Sequence, residues 1–192
     1  METTNTNKKI PKEERPERAV DTMFRVTLKN HMQLSQIADN KANILLSINA
    51  IIISISLSTL IPKLDNPDKA HLVLPTFIMI CFCVVGIVFA ILSTRPKVTT
   101  GRYSWKDIEE QKINLLFFGN FHKMPIEEYI AAMNIMMKDK TYIYNSMIKD
   151  LYYLGVVLDR KYRLLRITYT LFMVGTIVSV LSYVVAFNRA SF

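Results

Sequence analysis

The sequence predicts an all-α integral membrane protein with three transmembrane helices and a cytoplasmic helical domain between the second and the third. Three observations predict it. Uncharged, largely apolar runs cover residues 42–62, 72–94 and 167–188. Each is long enough to cross a bilayer, since about 20 residues rising about 1.5 Å apiece match a hydrocarbon core of about 30 Å. Lys and Arg are unevenly placed, with eight in residues 1–43, two in 62–71, thirteen in 95–166 and one beyond 188. Positively charged segments stay on the cytoplasmic side, so the N-terminus and the 95–166 segment are expected inside, with the short turn and the C-terminus outside. Within 98–166 apolar residues recur at spacings of three and four, without the alternation of a strand.

Composition narrows the classes. The chain has 192 residues, 51% of them hydrophobic, and five glycines, with a mean hydropathy of +0.20. A few membrane helices and one modest helical domain fit that length; a two-domain soluble enzyme does not. The net charge of +8 follows the topology rather than forming one basic face, so a nucleic-acid polymer is not an expected partner. Cys81 and Cys83 sit two apart in an apolar run and read as small fillers.

Taken in order, residues 1–17 are polar, with alternating charges and two prolines, and are expected to form a flexible tail. They lack the apolar core of a cleavable signal peptide. Residues 18–41 read as a cytoplasmic amphipathic helix. His31, Leu34, Ala38 and Ala42 fall on one side of it, and it runs without Gly or Pro into transmembrane helix 1 at 42–61. Within that span Asn43, Ser47, Ala50, Ser54 and Ser58 follow one face, with Asn49 and Ser56 on a neighbouring stripe. Small, weakly polar stripes serve close helix packing, or line a polar path when several copies assemble. Pro62 is expected to end the helix and residues 63–71 to turn tightly into transmembrane helix 2 at 72–94, giving an antiparallel hairpin.

The 95–166 segment is the expected cytoplasmic helical domain. Ser104 and Asp107 suggest a capping box opening a short helix through Ile108, Lys112 and Leu115. Phe117, Phe118 and Phe121 surround Gly119 and Asn120 in a turn. Pro125, Glu127 and Glu128 then start a new helix, with the acids near its positive end. Tyr144, Met147, Leu151, Leu154 and Leu158 mark a last helical face leading to transmembrane helix 3 at 167–188. Arg160, Lys161, Arg163 and Arg166 before it read as topology determinants that reach lipid headgroups.

No phosphate loop, dinucleotide fingerprint, zincin or serine-hydrolase signature occurs, so no catalytic or metal-ligating residue and no cofactor is assigned. Two groups remain candidates for binding a small anionic ligand. His31, Asp39 and Lys41 lie near the membrane end of the first helix. Phe118, Phe121, His122 and Lys123 combine positive charge with aromatic faces on which a base can stack. The plain alternative is an aromatic core beside an exposed histidine. A membrane scaffold that recruits a partner, or a membrane enzyme using His31, Asp39 or His122, also stays open.

Three blocks carry a likeness to a known family: NHMQLSQIADNKANILLSINA at 30–50, FFGNFHKM at 117–124 with EEY at 127–129, and KDLYYLGVVLDRKYRLLRITYTLF at 149–172. Together they resemble the Pycsar effector transmembrane family of bacterial anti-phage membrane proteins. The resemblance implies a non-enzymatic effector in the inner membrane. Its activating ligand would be cyclic CMP or cyclic UMP, made by a separate cyclase on phage infection. Binding would impair the membrane and cause growth arrest or abortive infection. It further implies the lipid bilayer as a partner, and assembly as a homo-oligomer is expected with it. Asn43, Ser47, Ser54 and Ser58 are then the expected membrane path or packing stripe.

Overall fold

The computed structural model describes residues 14–64, 67–96 and 104–190, and every regular element among them is helical. Helix α1 spans Glu14–Leu64, a 3-10 helix Pro67–Leu72, α2 Val73–Thr94, α3 Trp105–Glu109, α4 Phe118–Phe121, α5 Ile126–Met137 and α6 Lys140–Ala190. Three of these helices are long and apolar enough to cross a membrane: α1, α2 and α6. The expected amphipathic helix and first span are thus one helix of 51 residues, and the last soluble helix and third span are another. The expected tail up to residue 13, residues 65 and 66 of the turn, and residues 97–103 of the loop before α3 lie outside the described residues.

Two compact units divide the chain: Met1–Gln33 with Thr100–Leu154, and Leu34–Thr99 with Gly155–Phe192. The first unit takes residues 100–154 of the expected 95–166 domain and adds the opening turns of α1, whereas 95–99 and 155–166 fall in the second unit. Phe24 on α1 is buried and stacks on Tyr144 of α6 at 6.2 Å between ring centroids, while Lys140 donates to Glu17 at 2.9 Å. Glu17 therefore belongs to α1, which starts at Glu14 rather than at Arg18. The core of this unit gathers Ile108, Ile113, Leu115, Met124, Ala132, Met136 and Tyr142. Burying apolar surface here is what orders the short helices, because isolated helices of a few turns are marginal in water.

Local chemistry explains the departures from the expected elements. Ser104 makes no side-chain cap, and α3 stops at Glu109. Gln111 then takes a positive φ of 58°, which turns the chain so that Ile113 and Leu115 enter the core from a non-helical segment. The Gln111 amide donates to Asp139 Oδ2 at 2.7 Å. Asp139 Oδ1 accepts the Thr141 and Tyr142 backbone N–H groups at 2.8 and 3.3 Å, capping α6. These bonds, the Gln111 amide first, hold the Asp139 carboxyl below its usual range. Tyr142 donates from its buried hydroxyl to the Ile113 carbonyl at 3.0 Å, and burial pushes that phenol upward. Gly119 lies in the one-turn helix α4 instead of the expected turn, and asparagines tie that helix to the segment before it. Asn120 donates to the Asn114 carbonyl at 2.7 Å, and Asn114 Oδ1 accepts from Leu116 N at 3.0 Å.

In the second unit α1, α2 and α6 pack together. Ala38, Ala42, Leu45 and Leu165 form its buried cluster, flanked by Tyr162 and Phe172. Ser93, near the end of α2, donates to the Lys161 carbonyl at 3.2 Å, and Thr76, near its start, meets Tyr183 at 2.7 Å, so α2 runs antiparallel to α6. Thr76 already donates to the Leu72 carbonyl at 2.8 Å, which makes the Tyr183 hydroxyl the donor of that pair. Two glycines set the closest approaches. A Cβ on Gly175 would stand 2.7 Å from Phe82 Cβ, and one on Gly86 3.1 Å from Asn49 Nδ2. Helix α1 continues two residues past Pro62, because in the last turn the missing amide removes only one terminal bond.

Only 11% of the most apolar window of α6 is buried. Ile177, Val180, Leu181 and Val184 are among its exposed side chains. Buried positions of this unit instead include Asn49, Ser56, Thr76, Ser93, Thr168 and Ser179. An apolar exterior over a small, polar interior is the arrangement a bilayer selects, since lipid gives helices no hydrophobic reason to associate.

Leu115 is fully buried in the core of the first unit. Leu115→Ala is expected to cost about 2–5 kcal/mol, read as a lowered denaturation midpoint of the detergent-solubilised protein. Leu116→Ala, at an exposed neighbour, should leave that midpoint within about 0.5 kcal/mol.

Candidate functional site

A cavity of about 470 Å³ opens in the first unit, lined by Asp21, Phe24, Arg25 and Leu28 of α1, Leu116 of the connecting segment, and Met147, Asp150 and Leu151 of α6. Its size lies in the usual range of small-molecule sites, roughly 300–1,000 Å³. Helical periodicity builds the two walls: residues 21, 24, 25 and 28 recur at threes and fours, as do 147, 150 and 151, so each helix turns one face to the space. The wall is mostly apolar with three charges. Arg25 is exposed and makes no ion pair or hydrogen bond among the described residues. Asp150 is half-buried; burial raises its carboxyl, opposed by a hydrogen bond from the Asn114 side chain. Asn114 spends its oxygen on Leu116 N, so its amide nitrogen is the donor to Asp150.

A second polar cluster lies in the other unit. Lys161 Nζ donates to Ser35 Oγ at 2.9 Å and to both Asp39 oxygens at 2.8 Å. All three ammonium donors are thereby used. The Lys161 side chain is 17% exposed and that of Asp39 34%, so the pair is shielded from water more than an ordinary surface bridge. Tyr162 adds a bond from its hydroxyl to the Leu34 carbonyl at 3.2 Å. Lys161 was expected to reach the headgroups; it turns inward because Asp39 would otherwise be left without a cation as the uncharged run begins.

The remaining candidates are dispersed. His31 belongs to the first unit and Asp39 and Lys41 to the second. Nδ1 of His31 is buried without a partner, and Lys41 is exposed. Phe118 is exposed beside Phe117 at 5.1 Å, and Phe121 packs on Tyr129 at 4.8 Å. His122 Nδ1 lies 3.2 Å from the Phe118 carbonyl, and Lys123 is exposed. None of these seven lines the cavity. Asn43, Ser47, Ser54 and Ser58 are all exposed, whereas Asn49 and Ser56 face inward. Sequence reasoning passed over Arg25 and Asp150. The signal available was, on α6, the charge of Asp150 set between Met147 and Leu151 on one face; on α1, Arg25 shares its face with Asp21, Phe24 and Leu28. No cluster of three metal-ligating side chains occurs among the described residues.

A family model described as Pycsar effector protein domain matches residues 22–187. The match takes in nearly all of α1 and α6, the cavity residues from Phe24 to Leu151, and the Lys161–Asp39 pair. No curated protein and no solved structure matches the chain.

Two outcomes follow from the charges. Asp39→Ala strands Lys161 in a shielded place and should destabilise by about 1–3 kcal/mol. Asp39→Ala with Lys161→Met should recover part of that loss, read by thermal unfolding in nanodiscs. Asp150 has a raised carboxyl, so folding holds its proton more tightly than the unfolded chain does; the contribution is present below the ordinary carboxylate range and is lost as pH rises through the folded value. Asp150→Asn is therefore expected to be the more stable form at neutral pH, with the advantage vanishing on acidification.

Proposed function

The chain belongs to the Pycsar effector protein family, which makes it an anti-phage defence effector, and from that premise we propose that it is a ligand-gated membrane effector. It senses a cyclic pyrimidine mononucleotide, cyclic CMP or cyclic UMP, made by a separate cyclase, and answers by impairing the inner membrane and arresting growth. The observation that carries this reading is the family match over residues 22–187, which extends through both units.

Charge and helix continuity support the mechanism. The bias of Lys and Arg toward residues 1–43 and 95–166 favours a cytoplasmic first unit, in reach of a nucleotide, and an external C-terminus. Helices α1 and α6 each supply residues to both units without a break in their hydrogen-bonded backbone. A ligand acts only through the difference in its affinity for two arrangements, so binding in the first unit has to favour one packing or one assembly of the spans. The exposed Asn43, Ser47, Ser54 and Ser58 are the surface on which assembly would act. Polar side chains facing lipid are costly, and a second copy or a water-filled path relieves that cost.

Membrane potential in cells carrying the protein and an inducible cyclase tests the reading. Depolarisation with one nucleotide, absent with an inactive cyclase, is the expected result. Unchanged potential with both nucleotides, at verified expression, would favour a scaffold without nucleotide response. Replacing Asn43, Ser47 and Ser54 together by alanine should abolish toxicity while membrane insertion persists; nucleotide-dependent leakage retained in that variant would count against the stripe.

A further inference from the structure

The cavity of the first unit combines three features that are individually ordinary. Arg25 stands at its wall with all five guanidinium donors uncommitted among the described residues. Across from α1, α6 places Asp150 half-buried, one of its acceptor sites taken by Asn114 and the rest available. Phe24, Met147 and Leu151 add apolar surface to the same wall, and Asp21, one turn before Arg25 on α1, adds a second carboxylate. A carboxylate kept partly desolvated without a cationic partner lowers the stability of the free protein, and groups of that kind concentrate at binding sites.

We propose that this cavity is the seat of the activating nucleotide, with Arg25 holding the cyclic phosphate and Asp150 reading the base, so that an amino-bearing pyrimidine is preferred over its oxo counterpart. The assignment rests on the functional reading above and adds to it the place of binding and the choice of base. A guanidinium takes a phosphate diester through two parallel N–H donors. The apolar wall accepts the flat face of a pyrimidine. An ionised carboxylate only accepts hydrogen bonds, so it pairs with the exocyclic amine of cytosine. Uracil presents a carbonyl oxygen at that position, which would face the carboxylate oxygen with no proton between them. A site built to pair with an N–H rejects the analogue lacking it, because its own polar group is left unpaired.

Calorimetry on the full chain in nanodiscs, titrated separately with cyclic CMP and cyclic UMP, tests the proposal. Wild type should bind cyclic CMP about ten- to a hundredfold more tightly than cyclic UMP. Arg25→Gln should weaken both by at least about tenfold, with Arg25→Lys falling between, since it keeps the charge but not the fork. Asp150→Asn, whose amide can donate to a carbonyl oxygen, should erase or invert the preference. Arg25 is exposed, so unchanged thermal unfolding of its variants serves as the control for folding. Unaltered affinities in Arg25→Gln would place the site elsewhere and overturn the assignment, while leaving the nucleotide-gated reading intact. Preference for cyclic UMP in wild type, or an unchanged preference in Asp150→Asn, would overturn the base reading. Binding of neither nucleotide by wild type would sink the functional reading itself.

Discussion

The packing of the second unit depends on one ammonium group. Lys161 uses its three donors on Ser35 and Asp39, and its own carbonyl receives the Ser93 hydroxyl. One residue of α6 is thus joined to α1 through its side chain and to α2 through its backbone. Such a contact fixes helix register where apolar surface cannot, because lipid competes equally for every apolar face. It lies just before the uncharged run of α1 and in the last turn of α2, so register is set at one end of the spans and carried along them by stiff helices.

Beyond that anchor the spans hold together by closeness and small polar groups. Phe82 fills the space beside Gly175, and Asn49 the space beside Gly86. Thr76 and Tyr183 close the far end with a hydroxyl pair. Asn49 Nδ2 and Ser179 Oγ are buried without partners. Interior polar groups left unsatisfied in this way are costly in a low-dielectric setting, and they mark the interior as a place where an alternative packing has something to gain.

Much of this architecture was legible because the bilayer imposes a coarse, long-range signal. Runs such as Leu72 to Thr94 are uncharged from end to end, and α2 occupies 73–94. The helix restarting after Pro125 was equally plain, since proline and the acids Glu127 and Glu128 mark a helix start locally. What escaped the sequence was tertiary. Gln111 adopts its positive φ to reach Asp139, and no local pattern announces a partner 28 residues away. Lys161 looked like one of four equivalent cations; only the approach of Asp39, 122 residues earlier, distinguishes it. Arg25 and Asp150 acquire meaning only when α1 and α6 face each other across a cavity.

The contact at Gly175 has an evolutionary consequence. With a Cβ there only 2.7 Å from Phe82 Cβ, an atom that every residue but glycine carries, no lineage can add a side chain at 175 without moving α2 and α6 apart. Trimming residue 82 gives no relief short of glycine, so position 175 is held as glycine for as long as the two helices keep this spacing. Across diverging descendants of this chain, an unchanging glycine at 175 would be the trace of that close approach, readable without a structure.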